Sequence, residues 1–322
     1  MASSSTSLPH DRSWPRAGDW PALDGSEGDL DAVLVGLGTH ATSLSPTSAH
    51  TTPSAVREAL RRYSPYAYPA DGAAGGGRAA TGSGGALDAL RVGDAGDASA
   101  PDADEEGAIA LVARAAGRAR LVIALGGDNA ATVPAALGTW GDRIGSAGLI
   151  TIDAHHDLRD GRSNGSPVRR LLEAGLDGSR VVQVGIQDFA NSRAYAERAA
   201  AAGIRVVHRD AVELRGVQAV AAEALEIAGA AGGPIHLDVD VDACDRSVAP
   251  GCPAATPGGL SAWQLRALVR AVVADPRVAS VDFTEVDAAA DAADGRTVRL
   301  VALGVLEALS ALAGRAARGP AS

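Results

Sequence analysis

The sequence predicts an α/β protein built on a parallel sheet with helices on both faces, and three observations carry that expectation. Strand-length apolar runs recur at 121–125, 148–153, 180–186, 204–208, 234–240 and 278–284. Helix-length stretches rich in Ala, Leu, Arg and Glu separate them, which is the pattern of strands joined by crossover helices. Polar, chemistry-bearing residues gather where several of these runs stop, as expected of a parallel sheet whose ligand site lies at the carboxyl ends of its strands.

Composition agrees with one large domain or two small ones. At 322 residues the chain exceeds the usual single core, although α/β folds of this length often form one unit. Apolar residues at 46% and charged residues at 21% are ordinary for a globular protein, and aromatics at 3% leave Ala, Val and Leu to fill the interior. The 29 basic residues are all arginine, which reads as codon bias and carries no mechanism. A net charge of −10, with no basic run longer than two residues, argues against a nucleic-acid or anionic-membrane partner. Cys244 and Cys252 cannot supply a disulfide framework for this length, and the start shows no basic region followed by an apolar stretch and cleavage site. No apolar run approaches the roughly 18 residues of a membrane span. The expectation is a cytoplasmic protein acting on a small molecule.

Along the chain, residues 1–29 read as an irregular arm rich in Ser, Pro and Asp, with isolated Trp14 and Trp20. A single domain is expected over 30–316, opening with an apolar strand at 32–37 and a helix begun by Thr52 and Pro53. Within it, 71–104 is so rich in Gly, Ala, Ser and Asp that it reads as a mobile surface insertion, with at most one short strand around 89–92.

The clearest polar cluster is Asp153-Ala-His155-His156-Asp157, directly after the apolar run ending at Ile152. If the chain stays extended, Asp153, His155 and Asp157 leave on one face and His156 on the other, where it packs or supports the site. A second cluster, His236-Leu-Asp238-Val-Asp240-Val-Asp242, ends another run, and alternation groups Asp238 with Asp240. One D-x-D alone reads as a solvated loop end. Two acidic clusters ending neighbouring strands repel unless cations sit between them, and carboxylates with imidazole but no thiolate suit Mn²⁺ or a similar hard divalent ion. Two further strand ends are Gly126-Gly127-Asp128-Asn129, which alone could be a helix N-cap, and Asp282-Phe-Thr284-Glu285.

These residues together resemble the ureohydrolases, the arginase, agmatinase and formimidoylglutamase group. The resemblance runs over about residues 33–312 and is strongest at 126–129, 153–157, 238–260 (including Ala249-Pro-Gly251 and Thr256-Pro-Gly-Gly-Leu260) and Glu285. It implies a three-layer αβα fold with a central parallel sheet and two Mn²⁺ ions. The ions would be held by Asp153, His155, Asp157, Asp238 and Asp240, with Asp153 and Asp238 bridging. Asp157 would also move the proton in catalysis, and Glu285 would bind the cationic amidine or guanidine group. A trimer or hexamer is implied as well. The family's G-G-[DG]-H histidine is replaced here by Asn129, a neutral amide ligand that leaves its metal weakly held, selective for a particular ion, or absent as isolated. The loop after Asp157 also lacks the arginase proton-shuttle histidine.

The formimidoylglutamase branch is closest. Asp157-Leu-Arg159 followed by Ser163-Asn164-Gly-Ser-Pro-Val-Arg169 is similar to its D-x-R and S-x-G-T-P-F-R patterns, and Gly185-Ile-Gln187-Asp-Phe-Ala-Asn191-Ser192-Arg193 to its G-I-Q-x-x-x-N-S. The implied reaction is hydrolysis of N-formimidoyl-L-glutamate to glutamate and formamide in histidine breakdown, with Asn164 and Asn191 at the pocket mouth. Arg159, Arg169 and Arg193 are the guanidinium forks available for two carboxylates. The alternatives are a urea-releasing guanidino-acid hydrolase and a metal-depleted relative without catalysis.

Overall fold

The computed structural model describes residues 11–68 and 87–317. Its strands are β1 (Leu30–Leu37), β2 (Val92–Asp97), β3 (Ala119–Gly126), β4 (Gly148–Ile152), β5 (Val181–Ile186), β6 (Arg205–His208), β7 (Ile235–Asp240) and β8 (Val278–Thr284). The helices are α1 (Thr52–Leu60), α2 (Glu105–Ala116), α3 (Thr132–Trp140), α4 (Pro167–Glu173), α5 (Arg193–Ala201), α6 (Arg209–Arg215), α7 (Val217–Ala228), α8 (Ala262–Val273) and α9 (Arg296–Ala317). The strands form one eight-stranded sheet in the order β2-β1-β3-β8-β7-β4-β5-β6, parallel throughout.

Continuous apolar strands follow from a sheet covered on both faces. In β1, Ala32 and Leu34 enter one core while Val33 and Val35 enter another, and β3 divides Leu121 and Ile123 from Val122 and Ala124 in the same way. The first face carries Val56 of α1, Val220 of α7, Leu268 of α8 and Val305 of α9. The second carries Val112 of α2, Ala135 of α3, Leu171 of α4 and Ala199 of α5. This is the expected three-layer αβα architecture with an aliphatic interior. Truncating a fully buried strand residue such as Ile123 or Ile150 to Ala would cost about 2–5 kcal/mol.

The structure changes two sequence expectations. Residues 71–86 lie outside the described residues, but the rest of the expected insertion holds β2, which begins at Val92 and forms a sheet edge. Its polar sequence gave little strand signal because side-chain charge helps hold it. Arg57 of α1 grips Asp94 through two donors, at 2.7 and 2.9 Å, and also reaches Asp97 at 2.5 Å. Helix α9, in turn, is long and apolar enough to cross a membrane, yet 67% of that span is buried inside the protein, where it packs on α1 and α8.

The chain runs outward from β4 through β5 to the edge strand β6, then returns to insert β7 and β8 between β4 and β3. The carboxyl ends of β3, β8, β7 and β4 therefore stand side by side at the crossover point, where open α/β sheets bind ligands.

Candidate metal centre

The chain leaves β4 at Ile152 and turns irregularly through 153–157, reaching a positive φ of 53° at Asp157. This conformation is uncommon for a residue with a Cβ and is typical of functional sites. Asp153 is buried, its Oδ1 accepting the His155 N–H at 2.6 Å while Oδ2 has no hydrogen-bond partner. His155 Nδ1 lies 2.7 Å from Asp242 Oδ2 and 3.6 Å from Asp153 Oδ1. Ligand-type atoms of Asp153, His155 and Asp242 all fall within 4.8 Å of one another. His156 turns away as expected, with Nδ1 against Gln183 Oε1 at 2.7 Å.

The second cluster assembles differently from the sequence expectation. Strand β7 ends at Asp240, whose Oδ1 accepts the Asp242 N–H at 2.8 Å and opens a tight turn over Val241–Ala243. The turn swings Asp242 into the site, where its Oδ1 accepts the Ala154 N–H at 3.0 Å. Asp240 and Asp242 line the cavity, and Asp238 does not. Asp238 is fully buried opposite Asp282 of β8, with which it is in register. Its carboxyl lies against that of Asp282, and neither of its oxygens receives a donor. Asp282 in turn meets His236 Nε2 at 3.1 Å, and His236 Nδ1 meets Ser280 Oγ at 2.7 Å. Strand alternation grouped Asp238 with Asp240, whereas only Asp240 lines the cavity, joined there by Asp242 through the turn that follows the strand.

Gly126 and Gly127 let the end of β3 approach its neighbour: a Cβ on Gly127 would collide with the Thr39 carbonyl. Asp128 caps the following turn through the Ala130 N–H at 3.2 Å. Glu285, at φ 62° just past β8, donates its N–H to Gly127 O at 2.9 Å. Its Oε1 accepts from Asn129 N at 2.9 Å and from Asn164 Nδ2 at 2.7 Å. The Asn129 side chain donates through Nδ2 to Asp157 Oδ2 at 2.5 Å, while its Oδ1 accepts the hydroxyls of Thr132 at 2.7 Å and Thr284 at 2.9 Å. The amide oxygen expected to ligate a metal is thus turned onto two threonines, and the N–H side faces the site. The physical reason is that a carboxylate accepts hydrogen bonds only, so Asp157 selects the NH₂ end of the amide.

The cluster concentrates negative charge away from water. Burial first, and then neighbouring carboxylates, push Asp153 and Asp240 well above the usual carboxylate range. Burial raises Asp157 to about 7 and Glu285 to about 8. The Asp242 carboxylate raises His155 to about 10. Burial also acts to raise Asp242, but the adjacent His155 charge and hydrogen-bond donors hold it low. One imidazolium cannot balance this set. The orphaned Asp153 oxygen, the carboxylate-rich donors and the absence of a thiolate among them fit hard divalent cations.

His155, Asp157, Asp240, Asp242 and Glu285 border a cavity of about 180 Å³. Asn164, Asn191 and Arg159 also line it. Asn191 spends its amide on the His156 N–H and the Ala154 carbonyl, so it holds the loop in shape. Arg169 turns away from the cavity and donates to the Arg159 and Gly161 carbonyls, and Arg193 is exposed at the start of α5 outside the lining. Neither fork lines the pocket, and the backbone carbonyls of Arg159 and Gly161 take the Arg169 side chain elsewhere. Leu44, Ser45 and Tyr195 line the cavity without having been anticipated. They carry no motif of their own, so nothing in the residue order pointed to them.

Known proteins resemble this chain in sequence and fold. The Arginase family model matches residues 30–310. Formimidoylglutamase of Halalkalibacterium halodurans is 32% identical over 273 residues, covering 80% of each chain. Guanidinopropionase of Pseudomonas aeruginosa is 36% identical over 198 residues, 57% of this chain and 60% of that one. The crystal structure of formimidoylglutamase from Bacillus subtilis superposes with a TM-score of 0.83 at 28% identity, covering 97% of this chain and 96% of that one. A Mn²⁺-containing formiminoglutamase of Trypanosoma cruzi shares the fold at 23% identity and a TM-score of 0.77, over 92% of this chain and all of that one. With the family pattern spanning the whole sheet and the strand ends that build the acidic cleft, the chain belongs to the Arginase family.

Proposed function

We propose that this protein hydrolyses N-formimidoyl-L-glutamate, adding water across the formimino carbon to give L-glutamate and formamide, with two Mn²⁺ ions in the acidic cleft. The observation that carries this reading is the polarity of one small cavity. Buried carboxylates, Glu285 and Asp157, stand at its floor and the Arg159 guanidinium at its rim, matching a substrate that is cationic at one end and anionic at the other. Relatives named formimidoylglutamase over most of the chain support it.

Asp153, His155, Asp157, Asp240 and Asp242 would hold the ions, which when bound supply Lewis acidity and lower the pKa of a water molecule. Glu285, fixed by Asn129 and Asn164, would pair with the protonated amidine and hold its carbon above the nucleophile. Asp157 would take the water proton and pass it to the departing amine. Residues 30–316 would act as one catalytic domain carrying an N-terminal arm, in a cytoplasmic trimer or hexamer. The test is a panel of formimidoylglutamate, arginine, agmatine and guanidinobutyrate with Mn²⁺ present. Formamide released from the first supports the reading, whereas urea released from a guanidino acid alone replaces it with the guanidino-acid alternative.

A further inference from the structure

Segment 158–161 at the pocket rim is held by two arginines that do not face the cavity. Arg198 of α5 donates to the Leu158 carbonyl at 2.9 Å and to both Asp160 oxygens at 2.8 and 3.1 Å. Arg169 of α4 donates to the Arg159 carbonyl at 2.6 Å, and the Arg159 N–H is tied to Gly165 O at 2.9 Å. With its backbone pinned this way, Arg159 sends its side chain over the Tyr195 ring, 5.9 Å from the centroid, while Arg198 approaches the same ring at 5.4 Å. Tyr195 is the third residue of α5. The Ser192 side chain, capping the helix, accepts the Tyr195 N–H at 3.3 Å and so anchors the backbone from which that ring projects. Among the described residues lining the cavity, Arg159 is the one guanidinium.

We infer that Tyr195 is a specificity-determining positioning residue: its ring is the platform that holds the Arg159 guanidinium at the pocket rim as the receptor for the carboxylate end of the substrate. A free arginine side chain on the surface samples many rotamers, and ordering it costs binding energy. Over an aromatic face, within the roughly 6 Å at which a cation and a ring attract each other, it keeps its charge and its planar fork, so a carboxylate meets a donor pair already in place. Arg198 and its Asp160 partner play a supporting part by setting the backbone from which Arg159 projects. Resting on the formimidoylglutamate reading above, this makes the anionic half of the substrate the part that Tyr195 selects.

The experiment uses the full-length Mn²⁺-loaded protein and compares Tyr195→Leu, Tyr195→Phe, Arg159→Gln and wild type in steady-state hydrolysis of N-formimidoyl-L-glutamate, with bound manganese measured in each. Formamide release by wild type tests the functional reading separately. Given that release, Tyr195→Leu should raise KM about fivefold with kcat within about twofold, Tyr195→Phe should keep the wild-type KM, and Arg159→Gln should raise KM further. In the Arg159→Gln background, Tyr195→Leu should add no further KM effect, because the platform then has nothing to position. An unchanged KM in Tyr195→Leu would overturn the inference. So would a Phe variant as impaired as the Leu variant, or a Tyr195→Leu effect that persists without Arg159. If Tyr195→Leu does not fold, Tyr195→Met, also without an aromatic ring, carries the same comparison, and an unchanged KM there overturns the inference.

Discussion

Asn129 donates its side-chain N–H to Asp157 Oδ2 at 2.5 Å while two threonine hydroxyls, from Thr132 and Thr284, occupy its carbonyl oxygen. A residue at the position where the resemblance implies a ligating histidine is therefore oriented as a hydrogen-bond donor to a candidate ligand. The metal on that side of the cleft loses a nitrogen donor and gains nothing from the amide oxygen.

Unequal metal affinity is the first consequence. Purified protein is expected to hold one Mn²⁺ tightly and to take a second only at higher concentration, with activity following the second occupancy. Asn129→His should strengthen the weaker site by about tenfold or more, since imidazole is a better donor than an amide. Calorimetric titration of both proteins, with activity followed in parallel, checks this; two equal tight sites in the wild type would contradict it.

The two aspartates on either side of Asp240 should behave differently. Asp153→Ala and Asp242→Ala are expected to abolish turnover and lower manganese content, because their carboxylates and His155 present ligand atoms within 4.8 Å of one another, close enough to share an ion. Asp238→Asn should retain the metals. Metal analysis of the three variants distinguishes these roles, and loss of manganese from Asp238→Asn would restore Asp238 to the ligand set.

Glu285→Gln should leave manganese content unchanged and raise KM for the amidine by about tenfold to a hundredfold, because the amide still accepts from Asn129 and Asn164 but offers the amidinium no charge. Steady-state kinetics with parallel metal analysis measure it. Unchanged kinetics would remove Glu285 from the substrate pocket.

The pH dependence of the metal-free protein has a definite sign. Asp157 and Glu285 are raised to about 7 and about 8 in the fold, and His155 to about 10. A carboxyl with a raised folded pKa binds its proton better in the fold, so stability falls as pH climbs from the unfolded value through the folded one. The stabilisation from His155 is fully present below its unfolded pKa and is lost as pH rises through about 10. All three act in one direction, so the metal-free melting temperature should drop by several degrees between about pH 6 and 9. Mn²⁺ should reverse that drop by replacing the protons as the balancing charge. Scanning calorimetry with chelator and with Mn²⁺ reads both slopes, and a metal-free protein more stable at pH 9 than at 6 would refute the argument.

What the sequence determined by itself is the part of this protein written in local periodicity. Apolar runs of strand length, separated by helix-length segments, fixed a parallel sheet buried on both faces, because a strand must be apolar on both sides only when helices cover both. The same local order put 153–157, 238–242, 126–129 and Glu285 at strand ends, which made an acidic, cation-seeking cleft legible in the residue order alone. Tertiary structure alone decided which groups face that cleft. Alternation has a period of two and ends with the strand, so it could not foresee the turn after Asp240 that brings in Asp242 and leaves Asp238 against Asp282. The direction of the Asn129 amide depends on Asp157 and on Thr284, 155 residues away in sequence. The edge strand β2 depends on Arg57 from a helix formed earlier in the chain. The choice among arginines likewise depended on distant carbonyls and on the ring of Tyr195, because a long charged side chain carries no directional information until something folded next to it supplies a partner.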